Sequence, residues 1–355
     1  MSRLGRLRAK VAATRYRHPS KNLRIIAVAG PYGKTTTALL LSEILQESGY
    51  GVLVLTNKVC MVNQQVLPDV YVPKAGALQR FLSLGRKKKV DFVIMEINQA
   101  VLDSHLLSTV TLEMSVLTGD SKVATAVGQQ PVAYTVVPSD LQDRGAFVVP
   151  HQSISFGNDD LADARVKNIK LFRKGTEIEL VVDHQTTLQL ATHLIGTANA
   201  YNVAAAVAAA YILAVKIETL SEGVARLEYV PGNFEYLPTD RLYDIVVDGA
   251  MDERSVQLVM ADAKILARRR LLVVADATIS DTLYGSIWTK ASNFIAVGAK
   301  DGPGIKGASD ASVAVDVTLR GAKQEDMVVL LGMNYAQRDS EHVSVGQRLV
   351  EGSKN

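Results

Sequence analysis

Residues 25–37, with the sequence IIAVAGPYGKTTT, constrain the fold of this chain more than any other segment. The apolar residues at its start predict a buried strand, and Gly30 and Gly33 predict a turn that leads into a helix. Lys34 and Thr35 fall at the start of that helix, where backbone N–H groups, the lysine charge and the helix dipole together attract polyphosphate. A glycine turn before a helix is common in itself, but Lys-Thr-Thr at this position favours a phosphate-binding loop.

A second candidate ligand is Glu96, which closes the predicted strand of residues 91–96. In a phosphate-loop protein, an acid at such a strand end completes the Mg²⁺ shell opposite a loop threonine. The alternative is an exposed carboxylate that only closes the strand.

The two loop glycines are closer together than in the common GxxxxGK[ST] loop, which narrows the candidate families. The predicted nucleotide and Mg²⁺ ligands here are Gly30, Gly33, Lys34, Thr35, Thr36 and Glu96.

Strand and helix patterns alternate along most of the chain, which predicts an α/β protein with parallel sheets. Residues 145–190 are β-rich and punctuated by turns, and they predict a small antiparallel excursion within the first domain. Turn residues at 231–238 predict a linker, after which a second, smaller α/β domain begins. The predicted strands are 25–29, 51–55, 91–96, 114–118, 147–149, 153–156, 164–171, 177–183, 243–248, 271–275, 294–297, 312–315 and 327–331.

We therefore expect four parts in this chain of 355 residues. A basic arm covers 1–22, an ATP-binding parallel-sheet domain covers 23–238, a smaller α/β domain covers 239–340, and a polar tail covers 341–355.

The composition favours a cytoplasmic enzyme. Hydrophobic residues make up 48% of the chain and charged residues 21%, as in globular proteins. No apolar run approaches the roughly 20 residues of a membrane span, and the start lacks the apolar core of a secretion signal. The single cysteine excludes a disulfide framework. The histidines show no metal spacing, and no basic stretch is interleaved with aromatic residues, so we expect no nucleic-acid partner.

The charge is unevenly distributed. The first 24 residues hold eight Lys and Arg and no acid, and Leu4, Leu7 and Val11 share one face of a predicted helix. One interpretation is a basic amphipathic arm that contacts anionic lipid or an acidic partner. The other, which we favour, is a solvated leading helix packed on the domain.

Asn199 and Asn202 lie three residues apart at the start of an alanine-rich helical pattern, so they share one helix face. Their amides suit either hydrogen bonding to a base or capping of the helix. From the residues alone, capping is the simpler role.

The segments AGPYGKTTT, MEINQAVL, GTANAYNVAAAVAAA and VPGNFE follow the order and approximate spacing of the Mur ligase family. The chain resembles this family over about 25–250 and more weakly to 330. The family includes the peptidoglycan ligases, folylpolyglutamate synthase and poly-γ-glutamate or cyanophycin synthetases. The resemblance implies an ATP-binding central domain and a C-terminal Rossmann-like domain. It also implies a reaction in which ATP activates a carboxylate as an acyl phosphate and an amine then attacks.

The resemblance also implies roles for single residues. Thr35 and Glu96 match the Mg²⁺ ligands, and Gly30 to Thr36 match the phosphate loop. Asn199 and Asn202 match asparagines that approach adenine. Asp248, within VVDGAMDERS, matches an aspartate that contacts the ribose.

Several positions depart from the family pattern. Residues 117–122 lack its Asp-His pair, and no lysine lies between Lys122 and Lys167 to match its carbamylated lysine. Lys122 is a candidate replacement for the missing lysine, and His105 is a candidate replacement for a missing metal ligand. Because about 24 residues precede the first predicted strand, we expect no counterpart of the N-terminal UDP-binding domain in this chain. Residues that replace a usual family residue are Pro31, Tyr32, Ala198, Asn233 and Met251.

Three functions remain open at this stage. The first is an ATP-dependent carboxylate–amine ligase with a small-molecule or peptide substrate, in which Lys34 and Glu96 are the catalytic residues. The second is a Mur-like ATP-binding partner or regulatory protein with impaired catalysis, because charged groups that stabilise phosphoryl transfer are missing. The third is an unrelated phosphate-loop ATPase or kinase.

Overall fold

The structure is a computed structural model that describes residues 3–68, 71–141 and 152–333. Within these ranges the chain divides into two compact units. Unit 1 comprises the described residues up to Ile169 together with Ile178–Thr192 and Asn199–Leu227. Unit 2 comprises Lys170–Glu177, His193–Ala198 and the described residues from Glu228 onward. The domain boundaries expected from the sequence stay predictions, and the predicted polar tail and the predicted strand 147–149 lie outside the described residues.

The structure has the alternation of helices and strands that the sequence predicts. The helices are α1 Arg3–Arg15, α2 Lys34–Glu47, α3 Ala75–Lys87, α4 Gln99–Asp103, α5 Lys122–Gly128, α6 Thr197–Ile212, α7 Ile217–Arg226, α8 Glu253–Leu266, α9 Tyr284–Trp288 and α10 Ala311–Gly321. The first eleven strands are β1 Arg24–Ala29, β2 Val52–Leu55, β3 Cys60–Val62, β4 Gln65–Val66, β5 Phe92–Ile97, β6 Met114–Leu117, β7 Tyr134–Pro138, β8 Gln152–Gly157, β9 Ala164–Phe172, β10 Gly175–Val182 and β11 Thr186–Thr192. The remaining strands are β12 Glu235–Tyr236, β13 Asp244–Asp248, β14 Leu271–Ala275, β15 Asn293–Val297, β16 Lys306–Ala308 and β17 Met327–Leu331.

The first eleven strands form one sheet in the order β11-β10-β9-β8-β7-β6-β1-β5-β2-β3-β4. Strand β1 lies between β5 and β6 and is parallel to both, with Ala29 opposite Ile97 and Leu117. All three strands therefore end at one edge of the sheet, where ligands of open α/β sheets bind. Apolar residues of β1, β2, β5 and β6 form a buried cluster with α3 on one face of the sheet.

The antiparallel part of the first sheet includes fewer residues than the segment 145–190 that the sequence pattern predicts. Strand β8 pairs parallel with β7 and with β9, so the parallel part of the sheet extends through 152–157. Strands β9 and β10 are neighbours joined by Arg173 and Lys174, and such a two-residue connection requires an antiparallel hairpin. At the other end of the strand order, β3 and β4 are antiparallel strands that the sequence pattern does not predict.

Unit 2 contains a second sheet, in the order β12-β13-β17-β14-β15-β16. Strands β13, β17, β14, β15 and β16 pair in parallel, and β12 is antiparallel to β13. Successive residues of β13, such as Ile245 and Val246, belong to different apolar clusters, one on each face. Burial on both faces explains why these strands are almost continuously apolar.

The predicted strand at 312–315 is wrong, because these residues lie in α10. Asp310 caps this helix: its carboxylate accepts hydrogen bonds from the hydroxyl of Ser312 and the N–H of Val313. These bonds favour the ionised carboxylate and lower the pKa of Asp310. A short apolar run has no strand-specific periodicity, and here the preceding N-cap decides in favour of a helix.

Candidate nucleotide-binding site

The phosphate loop runs from the end of β1 to the start of α2, as the sequence predicts. Gly30 has a φ of 149°, and a Cβ at this position would lie 2.2 Å from the Thr118 hydroxyl oxygen. Gly33 has a φ of 69° and would place a Cβ 2.1 Å from Oδ1 of Asn202. At either position a side chain would be strained by the positive φ and would also displace the neighbouring Thr118 or Asn202 side chain.

Lys34 folds back over the loop. Its Nζ donates hydrogen bonds to the carbonyl oxygens of Gly30, at 2.9 Å, and of Pro31, at 3.3 Å. Burial lowers the pKa of the Lys34 ammonium, and the negative charge of Glu96 opposes this effect. A phosphate bound at the loop would add negative charge and favour the protonated lysine further.

Thr35 and Glu96 are brought together across the sheet. The Thr35 hydroxyl donates to Oε2 of Glu96 at 2.7 Å, and the Glu96 side chain is buried. This contact follows from the parallel register, which places Glu96 of β5 opposite Val28 of β1, close to the start of the loop. One hydroxyl and one carboxylate are hard oxygen donors of the kind that Mg²⁺ prefers, so the two residues fit this ion.

Glu96 is not part of a larger acidic or histidine cluster among the residues that the structure describes. Among residues 3–68, 71–141 and 152–333, no group of three or more His, Cys, Asp or Glu side chains is arranged to hold a metal. A magnesium ion at Thr35 and Glu96 would therefore take its remaining ligands from nucleotide phosphates and water, which is its usual habit in nucleotide sites.

Asn199 and Asn202 are buried near the start of α6, and both lie in unit 1. The Nδ2 of Asn202 donates to Oδ1 of Asn199 at 3.1 Å, and the Thr37 hydroxyl donates to Oδ1 of Asn202 at 3.5 Å. Together with the close approach to Gly33, these contacts place Asn202 against the phosphate loop. The predicted contact of the pair with adenine stays a prediction.

Thr118, the residue after β6, has a role at the phosphate loop that the sequence pattern did not indicate. Its buried hydroxyl donates to the carbonyl of Tyr32 at 2.5 Å. A Cβ on Gly119 would lie 3.0 Å from Pro31, so the end of β6 packs directly against the loop. The available signal was position, because Thr118 closes the predicted strand 114–118, which ends at the same sheet edge as β1.

The other predicted residues take different positions. Thr36 is buried in the first turn of α2. Asp248 ends β13 in unit 2, where its carboxylate accepts from the N–H groups of Phe234 and Ala250. Its predicted contact with ribose stays a prediction. Lys122 is exposed at the start of α5, and His105 is half-buried before a short 3₁₀ helix.

A glycine loop between the first strand and helix of a parallel sheet, with a buried acid on the neighbouring strand, defines the class of α/β phosphate-loop proteins. The Mur ligase middle domain matches residues 28–121 and 130–210, which contain the loop, Glu96 and both asparagines. The chain belongs to the Mur ligase family.

Individual relatives agree with this assignment. The chain is 27% identical over 287 residues to the UDP-N-acetylmuramoyl-L-alanyl-D-glutamate–2,6-diaminopimelate ligase of Bacillus cereus, covering 71% of this chain and 56% of that ligase. Two further ligases of the same name are covered over 64% and 60% of their length. The chain therefore spans 56–64% of the length of these three ligases.

Solved structures show the same fold. The apo form of folylpolyglutamate synthetase (FPGS) from Lactobacillus casei superposes with a TM-score of 0.74 at 17% identity, covering 100% of this chain and 96% of that chain. An FPGS–AMPPCP complex superposes with a TM-score of 0.71 at 17% identity, covering 98% of this chain and 95% of that chain.

Within the described ranges, no helix has both the length and the apolar character that a membrane-spanning helix needs.

Proposed function

We propose that this protein is an ATP-dependent carboxylate–amine ligase that releases ADP and phosphate. The observation that carries the proposal is the convergence of the phosphate loop, Thr35 and Glu96 at one sheet edge in a member of the Mur ligase family. The proposed substrates are an acidic acceptor and an amino acid or peptide amine. The diaminopimelate ligases among its relatives suggest cell-wall peptide synthesis as the setting.

In this proposal the phosphate loop and Lys34 bind the β- and γ-phosphates of ATP. A magnesium ion at Thr35 and Glu96 would neutralise charge on the phosphates. An oxygen of the acceptor carboxylate attacks the γ-phosphorus and ADP leaves. The amine then attacks the acyl carbon, phosphate leaves, and the amine loses a proton to form the amide. Asn199 and Asn202 of unit 1 are the proposed contacts of the nucleoside.

The second candidate is a Mur-like protein that binds ATP without ligating. It is favoured by the departures at Ala198, Asn233 and Met251, and by the small number of metal ligands around Glu96 in the described part of the chain. Loss of one group that stabilises the phosphoryl group during its transfer commonly lowers the rate about 10²- to 10³-fold. Loss of several together would leave nucleotide binding intact and turnover close to background.

The test compares ATP affinity and ADP release for the wild type, Lys34→Ala and Glu96→Ala, with Lys167→Ala on β9 as the matched control. Each protein receives Mg-ATP with a panel of acidic acceptors and amines. Amide and ADP in equal amounts, lost in the first two variants only, support the ligase. ATP binding that requires Lys34 but yields no ADP supports the binding protein. A stable phosphorylated product would indicate a kinase and contradict both.

A further inference from the structure

Helix α1 packs on the rest of unit 1 through its smaller apolar residues. Ala9 and Ala13 are each 1% exposed, whereas Leu7 and Val11 are each 59% exposed. A helical repeat of 3.6 residues puts Leu7 and Val11 on one face and the two alanines on the opposite face. The larger apolar side chains are thus left in water, and burying them against another surface would be favourable.

The outward face of α1 borders a cavity. Helix α1 contacts α3, and a cavity of about 540 Å³ lies between α1 and the first turn of α3. Its walls include Leu7, Val11 and Tyr16 from α1, and Ala75 and Gly76 from α3. Gly76 is exposed, so the apolar lining continues from α1 onto the neighbouring helix.

Basic residues surround this apolar strip. Arg8 and Arg15 line the cavity, Lys10 is exposed beside it, and Lys74 directly precedes α3. Residues 1–24 and 71–90, which contain the two helices, hold 14 Lys and Arg and no Asp or Glu. The remainder of the chain holds 25 basic and 36 acidic side chains, so the positive charge is concentrated in these two segments.

We propose that the exposed face of α1, comprising Leu7, Arg8, Lys10, Val11 and Arg15, docks on an anionic phospholipid surface. Helix α1 lies in the plane of the membrane, with Leu7 and Val11 among the acyl chains and the cations against phosphate groups. Such attachment combines burial of exposed apolar side chains with attraction of basic residues to anionic lipid.

A lipid surface fits this face better than a protein partner does. A standard protein interface buries about 800 Å² on each side around an apolar centre that is depleted of charge. Among the side chains of α1 that the structure describes, the exposed large apolar ones are Leu7 and Val11, and cations flank them. An extended anionic surface needs no shape complementarity and attracts each cation separately, so it suits charge that is spread over two helices.

The test is co-sedimentation of the full chain with vesicles of phosphatidylglycerol and phosphatidylcholine, and with vesicles of phosphatidylcholine alone. We expect binding to the anionic vesicles only, with weakening as salt is raised. Arg8→Gln with Arg15→Gln should weaken binding by about tenfold or more. Leu7→Gln with Val11→Gln should weaken it by about fivefold or more, because two apolar anchors are lost.

The matched apolar control is Val313→Gln with Val317→Gln on α10, where two valines four residues apart are 46% and 45% exposed. The matched charge control is Lys264→Gln with Arg269→Gln, two exposed cations of unit 2. Both controls should bind like the wild type, and thermal unfolding verifies that every variant is folded. Absence of binding to anionic vesicles, equal binding to phosphatidylcholine, or binding insensitive to both α1 variants would each overturn the proposal. Capture of an acidic protein without vesicle binding would overturn it as well.

Discussion

Thr118 donates its side-chain hydroxyl to the main-chain carbonyl of Tyr32, and this bond joins the end of β6 to the phosphate loop. In a planar trans peptide the C=O and N–H groups point in opposite directions. A Tyr32 carbonyl directed at Thr118 therefore leaves the N–H of Gly33 directed away from β6. Thr118 is a positioning residue for this peptide, and through it for the phosphate donors that we propose.

Replacement of Thr118 by valine should weaken ATP binding. The β-branched shape is kept while the hydroxyl is lost, so the Tyr32–Gly33 peptide is free to rotate. We expect about a tenfold loss of ATP affinity, measured by calorimetry, which corresponds to the free energy of one hydrogen bond. Thr118→Ser keeps the donor and should restore most of the affinity.

The control for this prediction is Thr135→Val. Thr135 is a buried threonine of β7 in the same sheet, and its hydroxyl contacts that of Ser115 rather than the loop. It should lose stability to a similar extent as Thr118→Val but retain ATP affinity. Equal loss of affinity in both valine variants would show that Thr118 acts only through general stability.

Gly33→Ala should destabilise unit 1 and impair nucleotide binding. The substitution combines a left-handed φ with a contact of 2.1 Å to Asn202. We expect a loss of about 1–3 kcal/mol from backbone strain, with the clash in addition, measured by urea unfolding. Gly49→Ala is the control, because Gly49 has a φ of 87° but no neighbour within 4 Å of a Cβ.

A double variant separates the two causes of the Gly33 effect. Adding Asn202→Ala to Gly33→Ala removes the clash but leaves the strained φ. The two substitutions should therefore destabilise by less than the sum of their separate effects. Strict additivity would contradict the contact between Gly33 and Asn202.

Glu96→Gln should weaken ATP binding in the presence of Mg²⁺ and have a smaller effect in EDTA. The amide can still accept from Thr35, but it carries no charge to hold a divalent ion. The same change removes the charge that supports the protonated form of Lys34, so the pKa of Lys34 should fall further. Glu113→Gln is the matched control, because Glu113 pairs with Arg24 at the opposite edge of the sheet. Equal effects with Mg²⁺ and with EDTA would contradict a metal role for Glu96.

Asp326→Asn should destabilise unit 2 more at neutral pH than in acid. Burial alone would raise the pKa of Asp326, but hydrogen bonds from Arg270 and from the N–H of Lys323 outweigh it and lower the pKa. Because its pKa is lower in the folded state, the ionised Asp326 carboxylate stabilises the fold at pH values above the unfolded pKa of 3.8. This stabilisation is lost as the pH falls through the folded-state pKa.

The expected loss for Asp326→Asn at pH 7 is about 1–3 kcal/mol, measured by urea unfolding over a series of pH values. The difference from the wild type should shrink as the pH falls below 3.8. Asp316→Asn is the control, because Asp316 forms an exposed pair with Arg320 on α10 that contributes at most about 1 kcal/mol. A constant difference at every pH would contradict the ion pair as the cause.

The amino-acid sequence alone determined the strand–loop–helix unit, the parallel pairing of the nearby strands and the approach of Thr35 to Glu96. These features follow from local signals, since glycine conformations, helix starts and buried strand runs are encoded over a few residues. Parallel pairing then brings strand ends to one edge, and for this reason two residues 61 positions apart in sequence were predicted to meet.

Only the tertiary structure decided the contacts of Thr118 and Asn202 with the phosphate loop and the orientation of α1. Thr118 and Asn202 meet the phosphate loop because β6 and α6 pack against it, and no pattern within either segment encodes that approach. The orientation of α1 was also open, because its alanine face and its Leu7–Val11 face are both apolar. Close packing within unit 1 admits the small alanines, and the larger side chains are left outside beside the cations.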